Sequence, residues 1–163
     1  MKGLNLSHSV SADGVTIRHA VANDCEALLA LMKNLAVFED YIDDFVVTEN
    51  DLLKHGFSQF PATFTALVAE QDSKLMGYLV YYLIPFTYDL KPTLFIKELY
   101  VDEYARGQSI GKKLMQRTIV DAKEKGCGRM KWEVLSDNIK PQSFYKSFGA
   151  EYDARWQGYV LNV

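Results

Sequence analysis

The stretch "TLFIKELYVDEYARGQSIGKKLMQRTIVDAKEKG", residues 93–126, places a strand, a loop and a helix in immediate succession. Residues 93–101 are rich in β-branched and aromatic side chains, which favour a β-strand. From Ile110 to Lys125 apolar residues recur at helical spacing, and Gly126 ends the pattern. The loop therefore ends at a helix N-terminus, where unpaired N–H groups and the helix dipole favour an anion such as a phosphate.

Two known phosphate-binding motifs do not fit the spacing of this loop. The P-loop has four residues between its glycines, whereas three separate Gly107 from Gly111, and Lys113 stands where that motif has Ser or Thr. The dinucleotide fingerprint needs a third glycine and an early strand. What remains is Arg106-x-x-Ser109-x-Gly111, with serine where a glycine is expected. We expect Ser109 to adopt an ordinary conformation, because a left-handed one costs a non-glycine residue about 1 kcal/mol or more.

The rest of the chain predicts an alternation of strands and helices around this segment. Asn23-x-x-Glu26 predicts a capping box before one helix, and Thr48-x-x-Asp51 opens a second that ends near Gly56. The order β-α-α-β-β-β-α-β-α-β predicts an α/β (α+β) fold, with a mixed, mostly antiparallel central sheet flanked by helices. The other predicted strands cover residues 15–20, 62–70, 75–84, 130–135 and 159–163, and a last short helix covers residues 140–148.

Composition bounds the remaining possibilities. A chain of 163 residues that is 48% hydrophobic and 24% charged predicts one folded domain over residues 15–163, after a loose lead-in of residues 1–14. The net charge of -3 gives no general attraction to nucleic acid. Two cysteines are too few for a disulfide framework and lack metal-ligand spacing to a His pair. No apolar run predicts a membrane span or a signal core, so we expect a cytoplasmic protein.

The segment 93–126, followed by "MKWEVL" and "DNIKPQSFYKSFGA", resembles the acetyl-CoA-binding core of the GNAT acyltransferase superfamily. Over about residues 15–163, the stretches "VTIRHAVANDCEALLALMKNLAVFEDY", "VVTENDLLKHGF", "LVAE", "FTYD" and "FYKSFGA" resemble the diamine and polyamine (spermidine/spermine) and thialysine N-acetyltransferases. The resemblance implies direct transfer of an acetyl group from acetyl-CoA to a primary amine of a small molecule, without a metal.

The resemblance also implies where acetyl-CoA binds. Its pantetheine arm would lie between residues 93–101 and the strand in "KWEVL", which splay apart, and would pair with the open edges as an added strand does. Main-chain N–H groups of the loop would face the phosphates. The implied binding residues are Leu99, Tyr100, Val101, Arg106, Gly107, Gln108, Ser109, Ile110, Gly111, Lys112, Asn138 and Tyr145.

Acetyl transfer needs a neutral amine, yet an alkyl ammonium with a pKa near 10.4 is deprotonated at pH 7 to only about one part in 10³. Glu98 is the candidate base, since a carboxylate in mid-strand is costly unless it faces a polar cavity. An outward-facing Glu98 stays open on periodicity alone. The resemblance implies that Tyr145 protonates the departing CoA thiolate; without that context, Phe144-Tyr145 would be a core pair.

Carboxylates would attract a cationic amine. Glu39 and Asp89 align with acidic groove residues of the resembled family, and Glu98 is expected to bind the substrate with them. The neighbouring acids of "FEDYIDD" are equally compatible with a solvated loop. Lys97 departs from that family, which has adjacent acids in this strand, and Leu90-Lys91 replaces its tryptophan. A small amino acid amine is therefore as compatible with the sequence as a polyamine.

The resemblance further implies a homodimer that pairs through "YVLNV". Two other functions stay open on sequence: a CoA-binding sensor or interaction module with little turnover, and an acetyltransferase of protein lysines or N-termini. The acidic, aromatic segment "FEDYIDDF" disfavours the wide groove that a peptide substrate would need.

Overall fold

The computed structural model describes residues 14–85, 88–134 and 139–163. Asn138 and most of the predicted lead-in lie outside these residues. The chain forms two compact units, of which the first ends at Trp132 and the second covers Glu133–Val163. The single domain expected over residues 15–163 stays a prediction.

The first unit is built on a five-stranded sheet with the strands in chain order. Neighbouring strands are antiparallel, except that β5 runs parallel to β4. The mixed, mostly antiparallel sheet predicted from the sequence is thereby confirmed. The strands are β1 (Thr16–His19), β2 (Thr65–Gln71), β3 (Lys74–Ile84), β4 (Thr93–Val101) and β5 (Arg129–Trp132).

In residues 14–85, 88–134 and 139–163, three α-helices belong to the first unit and one to the second. The helix α2 continues into one π-helical turn, Leu53–Ser58, which agrees with the predicted end near Gly56. The helices are α1 (Cys25–Phe38), α2 (Glu49–Leu52), α3 (Ile110–Glu124) and α4 (Ile139–Lys146).

The starts of the first two helices differ in how well the sequence predicted them. Thr48 and Asp51 form the expected capping box, since Asp51 N–H donates to Thr48 Oγ1 at 3.2 Å and Thr48 N–H to Asp51 Oδ2 at 2.9 Å. The box predicted at Asn23-x-x-Glu26 is wrong, because Asp24 is the N-cap of α1. Asp24 instead accepts from Val21 N–H at 2.7 Å and ends a short 3-10 turn that precedes the helix.

The pairing of β3 with β4 contains a β-bulge. Val80 lies opposite Glu98 but Tyr81 lies opposite Ile96, so Lys97 is the additional residue of β4. Two consecutive side chains, Lys97 and Glu98, therefore escape strict alternation between the faces of the sheet.

The ladder between β4 and β5 ends early. Its last pair is Ile96 with Trp132, whereas β4 continues to Val101. In the described part of the chain, the second half of β4 has a strand neighbour on its β3 side only. The strand β5 itself ends at Trp132, so the splaying of the two strands stays a prediction.

The sheet buries side chains on both faces. One face packs Tyr78, Val80 and Tyr100 into a cluster with the apolar stripe of α1. The opposite face turns Tyr81 toward α3, where it contacts Asp121. The side chains of Val80 and Tyr81 therefore lie on opposite faces of the sheet.

The closing strand predicted over residues 159–163 is wrong. None of these residues is in a strand, and Tyr159, Val160 and Leu161 are 86–91% exposed. Apolar alternation favours a strand, but a strand forms only where a neighbour accepts its backbone hydrogen bonds. No such neighbour pairs with this segment in the described chain.

Candidate active site

Glu98 lies at the bulge in β4 with its carboxyl turned toward the α1 face. Tyr78, a fully buried residue on β3, donates its hydroxyl to Glu98 Oε2 at 2.8 Å. Burial raises the pKa of Glu98, and the hydrogen bond from Tyr78 offsets that rise only in part. The half-buried carboxyl therefore holds its proton to a higher pH than an ordinary glutamate does. Because it accepts from Tyr78 on the α1 face, Glu98 does not face outward.

Two residues beyond the end of α1 belong to the same electrostatic cluster. The charge of Glu39 contributes to the raised pKa of Glu98. Burial, with a smaller contribution from the charges of Glu98 and Glu39, raises the pKa of Tyr41 to about 12. Glu39 therefore lies near enough to Glu98 to influence its charge, and the substrate roles of both residues stay predictions.

Sequence reasoning missed Tyr41 and Tyr78. Tyr41 was hidden within an acidic stretch that reads as a solvated loop, and Tyr78 within an apolar strand that reads as core. The strand pairing would have identified Tyr78, because Tyr78 lies on the face of β3 that also carries Val80, and Val80 pairs with Glu98. That register depends on the bulge, which the sequence does not predict.

A pocket of about 580 Å³ opens beside Glu98, between the sheet and the helices α1 and α2. Both residues of the bulge, Lys97 and Glu98, line it. The other lining residues are Met32, Phe45, Val47, Asp51, Leu52, His55, Thr63, Phe64, Val80 and Tyr82.

The loop before α3 contains two residues in the left-handed region, Gly107 with φ +82° and Ser109 with φ +58°. The expectation of an ordinary conformation for Ser109 is therefore wrong. The chain turns from β4 into α3 within a few residues, and Ser109 is the N-cap of that helix with its ψ at 19°. Its side chain makes no capping hydrogen bond, so it leaves the first-turn N–H groups of α3 uncapped.

Arg106 connects the loop to the end of α1. Its Nε donates to the carbonyl of Val101 at 3.2 Å, at the end of β4. The guanidinium carbon lies 5.2 Å from the ring centre of Phe38 and 6.0 Å from that of Tyr100. These cation–π contacts place the start of the predicted phosphate loop beside the open edge of β4.

Asp89 lies at the other end of β4, apart from Glu98. Its carboxylate is 3.6 Å from Arg129, which pairs with Thr93, and it also accepts from Lys91 N–H at 3.2 Å. Glu98 lies five positions beyond Thr93, which is about 16 Å along a strand. The structure does not bring Asp89 and Glu98 together, and the substrate role of Asp89 stays a prediction.

Tyr145 lies on α4 in the second unit and is half-buried. Burial raises its pKa, and its ring centre is 5.1 Å from that of Phe144. Both the catalytic and the core interpretation of Tyr145 are compatible with this packing, so its catalytic role stays a prediction.

The described residues contain no candidate metal site and no candidate membrane span. They hold no group of three or more His, Cys, Asp or Glu side chains that could ligate a metal ion. None of the helices in residues 14–85, 88–134 and 139–163 is long and apolar enough to cross a membrane.

Comparison with known proteins identifies the class to which this sheet, loop and helix belong. Residues 34–150 match the profile of the acetyltransferase (GNAT) family. The chain belongs to the GNAT acetyltransferase family and is an N-acetyltransferase. This confirms the resemblance found in the sequence.

Two named relatives align with most of the chain. The thialysine N-epsilon-acetyltransferase of Sus scrofa is 34% identical over 144 residues, which are 83% of this chain and 84% of that protein. The spermidine/spermine N(1)-acetyltransferase-like protein 1 of Homo sapiens is 34% identical over 149 residues, 86% of this chain but 21% of that protein.

Solved structures share the fold. An aminoglycoside acetyltransferase from an uncultured soil metagenomic sample, solved with sisomicin, superposes with a TM-score of 0.77 at 24% identity, covering 92% of this chain and 98% of that one. An integron cassette protein of V. cholerae gives a TM-score of 0.76 at 25% identity, with 92% and 93% covered.

Proposed function

We propose that this N-acetyltransferase transfers the acetyl group of acetyl-CoA directly to a primary amine of a small molecule. The observation that carries the proposal is the half-buried carboxyl of Glu98, whose pKa is raised and which lines a pocket of about 580 Å³. Pockets of this size are typical of small-molecule sites. The names of the relatives, which include thialysine and spermidine/spermine N-acetyltransferases, support a small amine.

Acetyl-CoA fits the open edge of β4 and the loop that follows it. The backbone of Leu99, Tyr100 and Val101 would pair with the pantetheine arm, as an added strand pairs with a sheet edge. The first turn of α3 carries no acidic residue, so its N–H groups favour the phosphates. Bound acetyl-CoA supplies the activated acetyl group. The residues proposed to hold its phosphates are Arg106, Gly107, Gln108, Ser109, Ile110, Gly111 and Lys112, with Asn138 predicted to contact CoA.

Glu98 is proposed to take the proton from the substrate ammonium. A base acts best when its pKa lies near the working pH, and burial moves Glu98 in that direction. Glu39 adds a second negative charge at the end of α1, which attracts the ammonium toward Glu98. Both residues are therefore proposed to bind the reacting amine.

Tyr145 is proposed to give its proton to the departing thiolate of CoA. Tyr145→Phe removes the proton while keeping the ring, so kcat should fall by about 10²-fold or more while the Kd of acetyl-CoA changes little. Tyr152→Phe, an 89% exposed residue of the same unit, is the matched control. An unchanged kcat in Tyr145→Phe would assign this tyrosine to the core.

Two further predictions concern the whole molecule. We propose a cytoplasmic homodimer, with the exposed apolar residues at 159–163 as the pairing segment. Sedimentation analysis of the full chain and of Leu161→Asp would test the pairing, since the substitution should shift the protein to a monomer.

The direct test of the function is thiol release from acetyl-CoA by purified protein with a panel of amines. The panel contains polyamines, lysine analogues and aminoglycosides. We expect release that depends on the amine and rises with its concentration. Binding of acetyl-CoA without release by any amine would contradict the proposal and favour a sensor instead.

A further inference from the structure

Phe64 lines the pocket at its β2 side, whereas Glu98 lines it at β4. In the register of the sheet, Ala66 pairs with Val80 and Val80 with Glu98. Phe64 packs against the same apolar cluster as Ala66 and Val80, on the α1 face. Two strand spacings, about 10 Å, separate β2 from Glu98. An acceptor that holds its amine at Glu98 and extends across the sheet therefore approaches Phe64.

The tip of the Phe64 ring lies against Gly56, which is part of the π-helical turn after α2. A Cβ on Gly56 would lie 2.6 Å from Cζ of this ring and 3.0 and 3.3 Å from its two Cε atoms. Carbon atoms in van der Waals contact are about 3.5–4.0 Å apart. The ring therefore holds its place because residue 56 has no side chain.

Two hydrogen bonds hold the backbones on either side of this contact together. Thr63 N–H donates to the carbonyl of His55 at 2.8 Å, and Gln59 Nε2 donates to Thr63 Oγ1 at 2.6 Å. His55 and Thr63 directly precede Gly56 and Phe64 in the chain. Separating the two backbones to admit a side chain at residue 56 would break these bonds. A methyl group there would therefore displace the ring of Phe64.

Phe57 limits the direction in which that ring would move. The ring centres of Phe57 and Phe64 are 6.4 Å apart in an edge-to-face arrangement of 86°, and both residues pack against the apolar cluster of the α1 face. A packed side resists the insertion of further atoms. The pocket, in contrast, offers about 580 Å³ of open space. A displaced ring would enter the pocket and shorten it.

We propose that Phe64 limits the length of the acceptor, and that the missing side chain at Gly56 keeps the pocket long. Phe64 is thus a specificity-determining residue, and Gly56 is a positioning residue that acts through it. The inference rests on the proposed function, because it assumes that the pocket holds the acceptor. It concerns the length of the acceptor and not its charge.

The diamines 1,3-diaminopropane and 1,8-diaminooctane test the inference, since they share their terminal groups and differ in length. In Gly56→Ala, kcat/KM for 1,8-diaminooctane should fall by about tenfold or more relative to that for 1,3-diaminopropane, because the ring takes the space that the longer chain needs. Gly158→Ala is the matched control and should leave the ratio unchanged, since a Cβ there would meet no described atom within 4 Å. An unchanged ratio in Gly56→Ala would overturn the inference.

A second substitution separates the effect of the ring from damage to the turn. Leucine has no ring tip to meet residue 56, so Gly56→Ala combined with Phe64→Leu should restore the wild-type ratio to within about threefold. Phe64→Leu alone should raise kcat/KM for 1,8-diaminooctane relative to 1,3-diaminopropane. If the effects of the two substitutions instead add independently, residue 56 does not act through Phe64 and the inference fails.

Calorimetric titration with the two diamines, without acetyl-CoA, separates this inference from the proposed function. Weaker binding of 1,8-diaminooctane alone in Gly56→Ala supports the length limit even if no amine releases thiol, and in that case the proposed function alone fails. Affinities that stay unchanged or fall equally for both diamines overturn the inference whatever the turnover. Wild-type protein that binds neither diamine would overturn it too, because the pocket would then not hold chains of this class.

Discussion

Two carboxyl groups lie on opposite faces of the same sheet, and their surroundings differ in kind. Asp121 on α3 is 1% exposed and contacts three donor groups, Tyr81 Oη, Arg117 Nε and His19 Nε2, each at 2.9 Å. Glu98 is half-buried, and it accepts a hydrogen bond from a neutral donor, Tyr78.

The two environments move the two pKa values in opposite directions. Burial would raise the pKa of Asp121, but the hydrogen bonds from His19 and Tyr81 and the charge of Arg117 outweigh it and lower the pKa. Burial prevails at Glu98 and raises its pKa. A carboxylate held by an arginine and two further hydrogen-bond partners is fixed in its charged form, whereas one held by a tyrosine in an apolar wall can exchange its proton.

The largest expected effect is the loss of activity in Glu98→Gln. The amide keeps the size of the side chain but cannot take a proton, so kcat/KM should fall by about 10²–10⁴-fold. The free energy of unfolding of this variant at neutral pH should equal or exceed that of the wild type, because a buried group that resists ionisation is removed. Thiol release and thermal unfolding measure the two quantities.

Glu103→Gln, an exposed glutamate just beyond β4, is the control for Glu98→Gln and should retain full activity. A kcat/KM within about threefold of wild type in Glu98→Gln would contradict the assignment of Glu98 as the base.

Asp121→Asn should show the reverse pattern, with a loss of stability of about 2–3 kcal/mol from weakened hydrogen bonds to charged groups. Because folding lowers the pKa of Asp121, its contribution is present at neutral pH and is lost as the pH falls through the folded pKa, which lies below the usual value of an aspartate. The variant should therefore lose less stability on acidification than wild type. Urea unfolding at several pH values measures this.

The matched control for Asp121→Asn is Glu124→Gln, an exposed position on the same helix. It should leave both the midpoint of unfolding and its pH dependence unchanged. A variant Asp121→Asn with normal stability but little activity would break the comparison, since Asp121 would then take part in the chemistry.

How far the sequence predicts this arrangement depends on whether a feature is local. The strand Thr93–Val101 and the helix Ile110–Glu124 have the predicted bounds to within a residue, because residue preference and the glycine at 126 specify them locally. The sequence also marked Glu98 as the candidate carboxyl of this strand but left its orientation open. The bulge at Lys97 and the hydroxyl of Tyr78 were not, since both depend on the register between two strands.

The predictions that were wrong involve partners that local patterns do not contain. Residues 159–163 alternate as a strand does, but the alternation supplies no neighbouring strand. Ser109 was expected at negative φ from its residue type, and the path from β4 into α3 imposes φ +58° instead. In both cases the surrounding chain determines the conformation.

A smaller effect is expected for Tyr78→Phe. The hydrogen bond from Tyr78 lowers the pKa of Glu98, so its removal should raise that pKa further. The acidic limb of the kcat/KM profile should shift to higher pH, and activity should recover when the pH is raised. Tyr81→Phe is the counterpart on the other face and should reduce stability without moving the limb, because Tyr81 bonds to Asp121. An acidic limb at unchanged pH in Tyr78→Phe would show that Tyr78 does not influence the pKa of Glu98.

The smallest effect is expected for Ser109→Gly, at the start of the helix that also carries Asp121. Glycine adopts φ > 0 without a Cβ penalty, so the free energy of unfolding should rise by up to about 1 kcal/mol. Since the free chain already holds this conformation, the gain should appear in stability and not in binding, and the Kd of acetyl-CoA should stay within about threefold.

Ser73→Gly, at φ +61° in the β2–β3 turn, should give a similar gain in chemical denaturation with no change in Kd. If Ser109→Gly instead tightened acetyl-CoA binding tenfold at unchanged stability, Ser109 would reach the left-handed region only in the complex, and the loop would belong with Glu98 among the groups that act on the substrates.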